Sequence, residues 1–144
     1  MVSQYRQTIR PTFWVLAFIA FLFGSMSLAI WAALDNPAGF VSLIIFALLT
    51  ILIFNAMSLT IVIDDELRVG RAHIDRKFWG DVRVVAGDEF KKLQTKDARA
   101  FLATRFWLNE GLMVELNDER DPTPYWLISC RNGEEVKRSL YRPQ

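Results

Sequence analysis

Four side chains in this sequence are of types that carry chemistry: His73, Cys130, Asp121 and Arg105. A thiol beside an imidazole makes a nucleophile with its base, a carboxylate moves a proton, and a guanidinium holds an anionic group such as the phosphate of a lipid-linked substrate. Nothing sets these four at catalytic spacing: there is no nucleophile elbow, no pair of carboxylates on one strand face and no glycine-rich phosphate loop. Cys130 falls in a strand pattern, where cysteine is commonly a small buried hydrophobe, and the lone His73 beside a strand end reads as structural. With one cysteine and one histidine the chain has no internal disulfide, and a Cys/His zinc site is not expected. Asp64-Asp65-Glu66 lacks the spaced oxygen ligands of a calcium loop and reads as a solvated turn. No cofactor and no metal are expected, and a non-enzymatic protein is the better reading.

The elements around these residues divide sharply by charge. No ionisable residue lies between Arg10 and Asp35, or between Asp35 and Asp64. Residues 12–34 and 40–59 are accordingly expected to form a two-helix transmembrane hairpin, since about 20 apolar residues cross a bilayer. The break Asp35-Asn36-Pro37-Ala38-Gly39 has the composition of a turn. At 1.5 Å per residue, Trp14 and Trp31 are roughly 26 Å apart, a spacing that suits two interfacial belts. Ser27-Leu28-Ala29 resembles a signal-peptide cleavage site, but the apolar run is longer than such segments and a second run follows it, so it reads as uncleaved.

Residues 1–11 form a basic lead with Arg6 and Arg10, while Arg68, Arg71, Arg76 and Lys77 follow the second span and the connecting loop has no cation. This distribution predicts a two-pass protein of the cell (plasma) membrane with both termini cytoplasmic. Ala17, Ala20, Gly24 and Ser27 recur at helical spacing as one small-residue face, which serves contact with the second helix or docking of another membrane protein. Asn55 is the amide of the second span and is expected to bond a neighbouring helix. With no charge in either span, ion translocation by a single chain has nothing to run on.

Residues 60–144 are expected to form a cytoplasmic, mostly β domain. Its cations and acids balance in number, so it lacks the basic excess that nucleic acid attracts, and no nucleic-acid partner is expected. The pattern predicts strands at 61–63, 67–74, 82–86, 100–107, 112–116 and 124–131. Residues 87–96 read as loop with at most a helical turn, and Asn109-Glu110-Gly111 as a hairpin turn. Asn132 and Glu135 form a capping-box pattern for a C-terminal helix carrying Val136 and Leu140 on one face and Lys137, Arg138 and Arg142 toward its end. About six strands closed by a C-terminal helix give an α+β domain of pleckstrin-homology-like architecture. In the loop Arg76-Lys77-Phe78-Trp79, cations beside aromatics make a candidate membrane-surface contact, against the simpler reading that Phe78 and Trp79 are core.

The segment Asp121-Pro122-Thr123-Pro124-Tyr125-Trp126-Leu127-Ile128-Ser129, preceded by Ala103-Thr104-Arg105-Phe106-Trp107 and by Tyr5 to Trp14 with Pro11, resembles the actinobacterial membrane-protein family catalogued as domain of unknown function 3093. Phe106 and Cys130 stand where that family is expected to carry Pro and Thr. The resemblance implies an envelope location and names no reaction. The expected function is a membrane-anchored, non-enzymatic module binding a protein partner or lipid headgroups at the inner membrane surface. The alternatives are an assembly or stabilising subunit of an envelope complex and, less favoured, a small enzyme acting on lipid-linked substrates. Membrane lipids and a membrane protein partner or a second copy of the chain are the expected partners.

Overall fold

A computed structural model describes residues 5–141. The expected helix-end cation Arg142 lies outside the described residues. Contacts divide the chain into two units, one made of Arg10–Ser58 and the other of the segments on either side of it.

The inserted unit is the hairpin. Helix α1 spans Phe13–Ala33 and α2 spans Asn36–Met57, and both are long and apolar enough to cross a membrane. At 21 and 22 residues each helix is about 32 Å long, matching a hydrocarbon core of about 30 Å. The turn is tighter than its composition predicts. Asp35 is the N-cap of α2, its carboxylate accepting the Ala38 N–H at 3.0 Å. Asn36 to Gly39 therefore already belong to the helix, whose first turn tolerates Pro37 because that N–H would be unpaired anyway. Ser27 and Ser42 meet between the helices with their hydroxyls 2.9 Å apart, and the Ser42 hydroxyl also donates to the Gly39 carbonyl at 2.8 Å. Trp31 lies across Gly39, where a Cβ would come within 2.6 Å of the indole ring.

The other unit holds eight described strands rather than the six expected. Strands β1 (Tyr5–Ile9), β2 (Leu59–Ile63), β3 (Glu66–Val69) and β4 (Ala72–Asp75) form an antiparallel sheet in that order. A 3₁₀ turn, Arg76–Phe78, leads into β5 (Trp79–Ala86), followed by α3 (Gly87–Lys96), β6 (Phe101–Ala103), β7 (Glu110–Leu116), β8 (Tyr125–Ser129) and α4 (Gly133–Tyr141). The second sheet runs β5-β7-β8-β6, with β6 parallel to β8.

Six sequence expectations change. The lead carries β1, which pairs with β2. The strand expected over 67–74 is two strands around a turn in which Gly70 has φ +61°. The segment 87–96 is a helix, because Phe90 and Leu93 anchor one face of it in the core. Only Phe101–Ala103 of 100–107 is strand, and Asn109-Glu110-Gly111 closes no hairpin, since β6 and β7 both pair with β8. Asn132 has φ +56° and contributes its carbonyl to the Glu135 N–H at 2.9 Å, while Glu110 accepts the Gly133 N–H at 2.9 Å.

The core follows from strand alternation. Leu112, Val114, Trp126 and Ile128 face the first sheet, where Ile9, Leu59, Ile61, Ile63, Leu67, Val69 and Ile74 meet them together with Val136 and Leu140 of α4. Met113, Tyr125 and Leu127 point the other way, onto Phe90 and Leu93 of α3. Strands β7 and β8 are thus covered on both faces, which is why every residue of Tyr125–Ser129 is buried.

Candidate functional site

Where the two sheets meet beside β4, the fold forms a cleft of about 220 Å³ lined by His73, Ile74, Asp75, Phe78, Asp118, Asp121 and Trp126. Strand β4 delivers His73 and Asp75, the 3₁₀ turn delivers Phe78, the loop 117–124 delivers the two further aspartates, and β8 delivers Trp126. The Asn117 N–H donates to the Phe78 carbonyl at 2.9 Å and fastens the loop to the turn.

Short-range polar bonds shape that loop. Asp118 accepts the Arg120 N–H at 2.9 Å, and Asp121 accepts the Thr123 N–H at 2.9 Å. Hydrogen bonds from the side chain and backbone of Thr123 hold the Asp121 carboxyl below the usual carboxylate range, so it stays ionised at neutral pH. Pro122 and Pro124 stiffen the loop on either side of Thr123. Tyr125 then anchors the start of β8, its hydroxyl donating to the Leu93 carbonyl at 2.6 Å, and Trp126 packs against the Phe101 ring at 4.5 Å. The Asp-Pro-Thr-Pro-Tyr-Trp segment therefore supplies an acidic turn, its stiffening and an aromatic wall.

Three carboxylates over two aromatic rings make a setting for a cation. Lys77 displays the geometry: its ammonium lies 3.4 Å from Asp75 and 4.8 Å from the centre of the Phe78 ring. Among the described residues no group of three His, Cys, Asp or Glu is placed to hold a metal ion.

Of the four residues with chemical potential, the fold brings only His73 and Asp121 together. Cys130 is fully buried in the core between the sheets, and burial, with a smaller push from Glu110, raises its thiol to about 12. Arg105 lies beyond the end of β6, where its N–H donates to the Ser129 hydroxyl at 2.9 Å and its guanidinium to the Thr104 carbonyl at 3.0 Å.

In the basic-aromatic turn, Arg76 donates to the Leu140 carbonyl at 3.1 Å and Trp79 to the Ile74 carbonyl at 3.3 Å, while Phe78 and Trp79 pack against the core. In the hairpin, Ser27 faces α2, Ala17 is half-buried, and Ala20 and Gly24 open onto a groove of about 380 Å³ bounded by Phe46, Ala47 and Thr50 of α2. A Cβ at Gly24 would meet nothing within 4 Å. Asn55 is exposed in the last turn of α2. Sequence reasoning missed Asp75 and Asp118, whose meeting with Asp121 depends on the packing of the two sheets.

No curated protein and no solved structure matches the chain. The family model described as Protein of unknown function (DUF3093) matches residues 4–140, and the chain belongs to that family.

Proposed function

We propose that this chain is a two-pass, non-enzymatic module of the cell membrane that displays its β domain on the cytoplasmic side to bind a protein partner. The observation that carries this reading is the pairing of β1 with β2, in which Ile9 is the register partner of Leu59. These residues flank the hairpin in sequence, so both of its ends leave from neighbouring strands of one sheet and lie on one side of the bilayer. Arg6, Arg10, Arg68 and Arg71 flank the spans while the 34–35 turn has no cation, which favours the cytoplasmic side.

The partner surface in this reading is the cleft of His73, Asp75, Phe78, Asp118, Asp121 and Trp126, and its acid and aromatic lining suits a lysine- or arginine-bearing segment. The buried, protonated thiol of Cys130 and its separation from His73 support a binding role over catalysis. Two sheets around one core with α4 between them support the pleckstrin-homology-like comparison, from which the parallel β6–β8 pair and the inserted α3 depart. A photo-crosslinking residue at Asp118 in intact cells should give a discrete protein adduct that Asp75→Asn with Asp121→Asn abolishes. An adduct indifferent to both substitutions, or none, would contradict this use of the cleft.

The groove at Ala20 and Gly24 favours a second reading, an assembly subunit that receives a helix of another membrane protein. Gly24→Leu fills that groove without touching the β domain. Loss of a co-purifying membrane protein with an unchanged β-domain melting curve would support it, and unchanged co-purification would count against it.

A further inference from the structure

Strand β4 is the last strand of its sheet, so one of its sides has no neighbouring strand. The β3–β4 hairpin decides which backbone groups lie on that side. Its register pairs Glu66 with Asp75, Leu67 with Ile74, Arg68 with His73 and Val69 with Ala72, and one step further the Arg76 N–H donates to the Asp65 carbonyl at 3.2 Å. Bonded and non-bonded pairs alternate along an antiparallel ladder. Counting back from Arg76, the bonded partners on β4 are Ile74 and Ala72, and Val69–Ala72 is the bonded pair that closes the two-residue turn Gly70-Arg71, as such a turn requires. His73 and Asp75 therefore turn their N–H and C=O groups outward, away from β3. No turn, loop or cap bond among the described residues takes up these groups.

The cleft beside β4 lies along this open side. Successive strand residues send their side chains to opposite faces. A cleft lined by His73, Ile74 and Asp75 in a row thus touches the edge of the strand and not one face of it. The other walls are Phe78, Asp118, Asp121 and Trp126, so three carboxylates and two aromatic rings surround the edge with no lysine or arginine among them.

An unpaired strand edge is a template for a further strand: main-chain bonds hold the added segment, and flanking side chains select its sequence. We propose that the cationic segment of the partner binds in extended form, as an added strand on the free edge of β4. Alternate residues of the segment exchange backbone bonds with His73 and Asp75. The residue between them lies beside Ile74 and sends its side chain to the face on which Ile74 and Trp126 pack. A lysine or arginine at that position lays its stem on aromatic surface and brings its charge to the carboxylates of the cleft. The Lys77 ammonium, on a side chain 68% exposed, lies 3.4 Å from Asp75 and can turn to water as the segment arrives. Because β4 has four residues and offers two of them at its edge, the contact suits a short segment. The inference rests on the cleft being the partner surface and adds that the partner contributes main chain as well as charge.

The test uses the full chain in lipid nanodiscs with the end-blocked pentapeptide Thr-Val-Lys-Val-Thr as probe, followed through the β4 amide resonances and their hydrogen exchange. The amides of His73 and Asp75 are expected to shift and to gain protection, while those of Ala72 and Ile74, already bonded to β3, keep theirs. Methylating the backbone nitrogens of the two valines removes the donors that face β4 and should weaken binding by about tenfold or more, the loss expected for two main-chain bonds. Methylating the lysine nitrogen, which faces away, should not. Norleucine in place of the lysine should weaken binding as well. On the protein side, His73→Pro deletes an edge N–H that β3 does not use and should reduce affinity, whereas His73→Thr keeps that N–H and should bind. Absence of protection at His73 and Asp75, equal weakening by all three methyl groups, or equal binding by the proline and threonine variants would overturn the proposal. Binding that needs the lysine but tolerates methylated valines would overturn strand addition and leave the cationic cleft standing. The crosslink from Asp118 in cells reports on the cleft without reference to backbone pairing, so the two failures are distinguishable.

Discussion

Ile9 and Leu59 are register partners in adjacent antiparallel strands, with the whole of Arg10–Ser58 inserted between them. Topologically the hairpin is an insertion in the loop of a β-hairpin. The strands close that loop through the backbone bonds of β1 and β2 and through the burial of both side chains, Ile9 at 1% and Leu59 at 6% exposure. Removing apolar volume at this pair should loosen the β domain at the point where the spans emerge. Ile9→Ala is expected to cost about 2–5 kcal/mol, the usual range for a fully buried aliphatic side chain. Urea unfolding of the chain in nanodiscs, followed by protection of the β2 amides against hydrogen exchange, measures it. A loss under about 1 kcal/mol would mean that β1 contributes little to holding the sheet.

Gly111 occupies a position with no room for a side chain. A Cβ there would meet the Ile128 carbonyl of β8 and come within 2.6 Å of the Phe90 ring of α3. Gly111→Ala must push β7 from β8 or displace α3, at a cost of about 1–3 kcal/mol or more for overpacking. By contrast Gly24→Ala, which meets open space in the hairpin, should leave the β domain's stability unchanged. Denaturant midpoints of the two variants give the comparison, and equal midpoints would contradict the packing described.

Cys130 should make the fold sensitive to alkali. Its thiol is raised to about 12 in the folded domain against an ordinary value of 9.0, so the contribution is fully present below pH 9 and is lost as pH rises toward 12. Between those values the unfolded chain has released a proton that the folded chain retains, and stability should fall by about 1.4 kcal/mol per pH unit. Tyr5 and Tyr125, both raised chiefly by burial, add slopes of the same sign, so the measurement is the difference between the parent and Cys130→Ala. Cys130→Ala should show the shallower decline above pH 9. Parallel curves would place the thiol in contact with solvent.

Tyr125 lies on the face of the second sheet that packs on α3, and its hydroxyl donates to the Leu93 carbonyl at 2.6 Å. Tyr125→Phe keeps the ring and removes the donor, so a loss of about 0.5–1.5 kcal/mol is expected, with faster amide exchange confined to α3. Exchange that speeds up equally in β7 and β8 would show that the bond supports the entire sheet rather than the docking of one helix.

How much of this could be read from the residues depends on distance along the chain. The spans are legible because a bilayer excludes charge, and the gaps from Arg10 to Asp35 and from Asp35 to Asp64 show it directly. Strands β5, β7 and β8 are legible from local apolar patterning. Strand β1 is not, because Tyr-Arg-Gln-Thr-Ile looks like a short basic flank until its partner, on the far side of the hairpin, is known. Helix α3 was obscured by having only Phe90 and Leu93 as buried anchors among polar neighbours. Asn109-Glu110-Gly111 has the composition of a hairpin turn, yet its glycine serves the close approach of the Ile128 carbonyl. In the cleft, His73 and Asp121 stand out by residue type, whereas Asp75 and Asp118 join them only through the packing of two sheets.

The central claim is that one sheet holds both ends of a membrane-crossing hairpin on the cytoplasmic side, and labelling of single cysteines in intact cells tests it most directly. Asn36→Cys lies at the turn between the spans and Glu119→Cys in the loop beyond β7, while the buried Cys130 contributes little background. A membrane-impermeant thiol reagent should label the cysteine at 36 from outside and should reach the one at 119 only after the cells are opened. Labelling of 119 from outside with 36 protected, or labelling of neither site even in opened cells, would contradict the account.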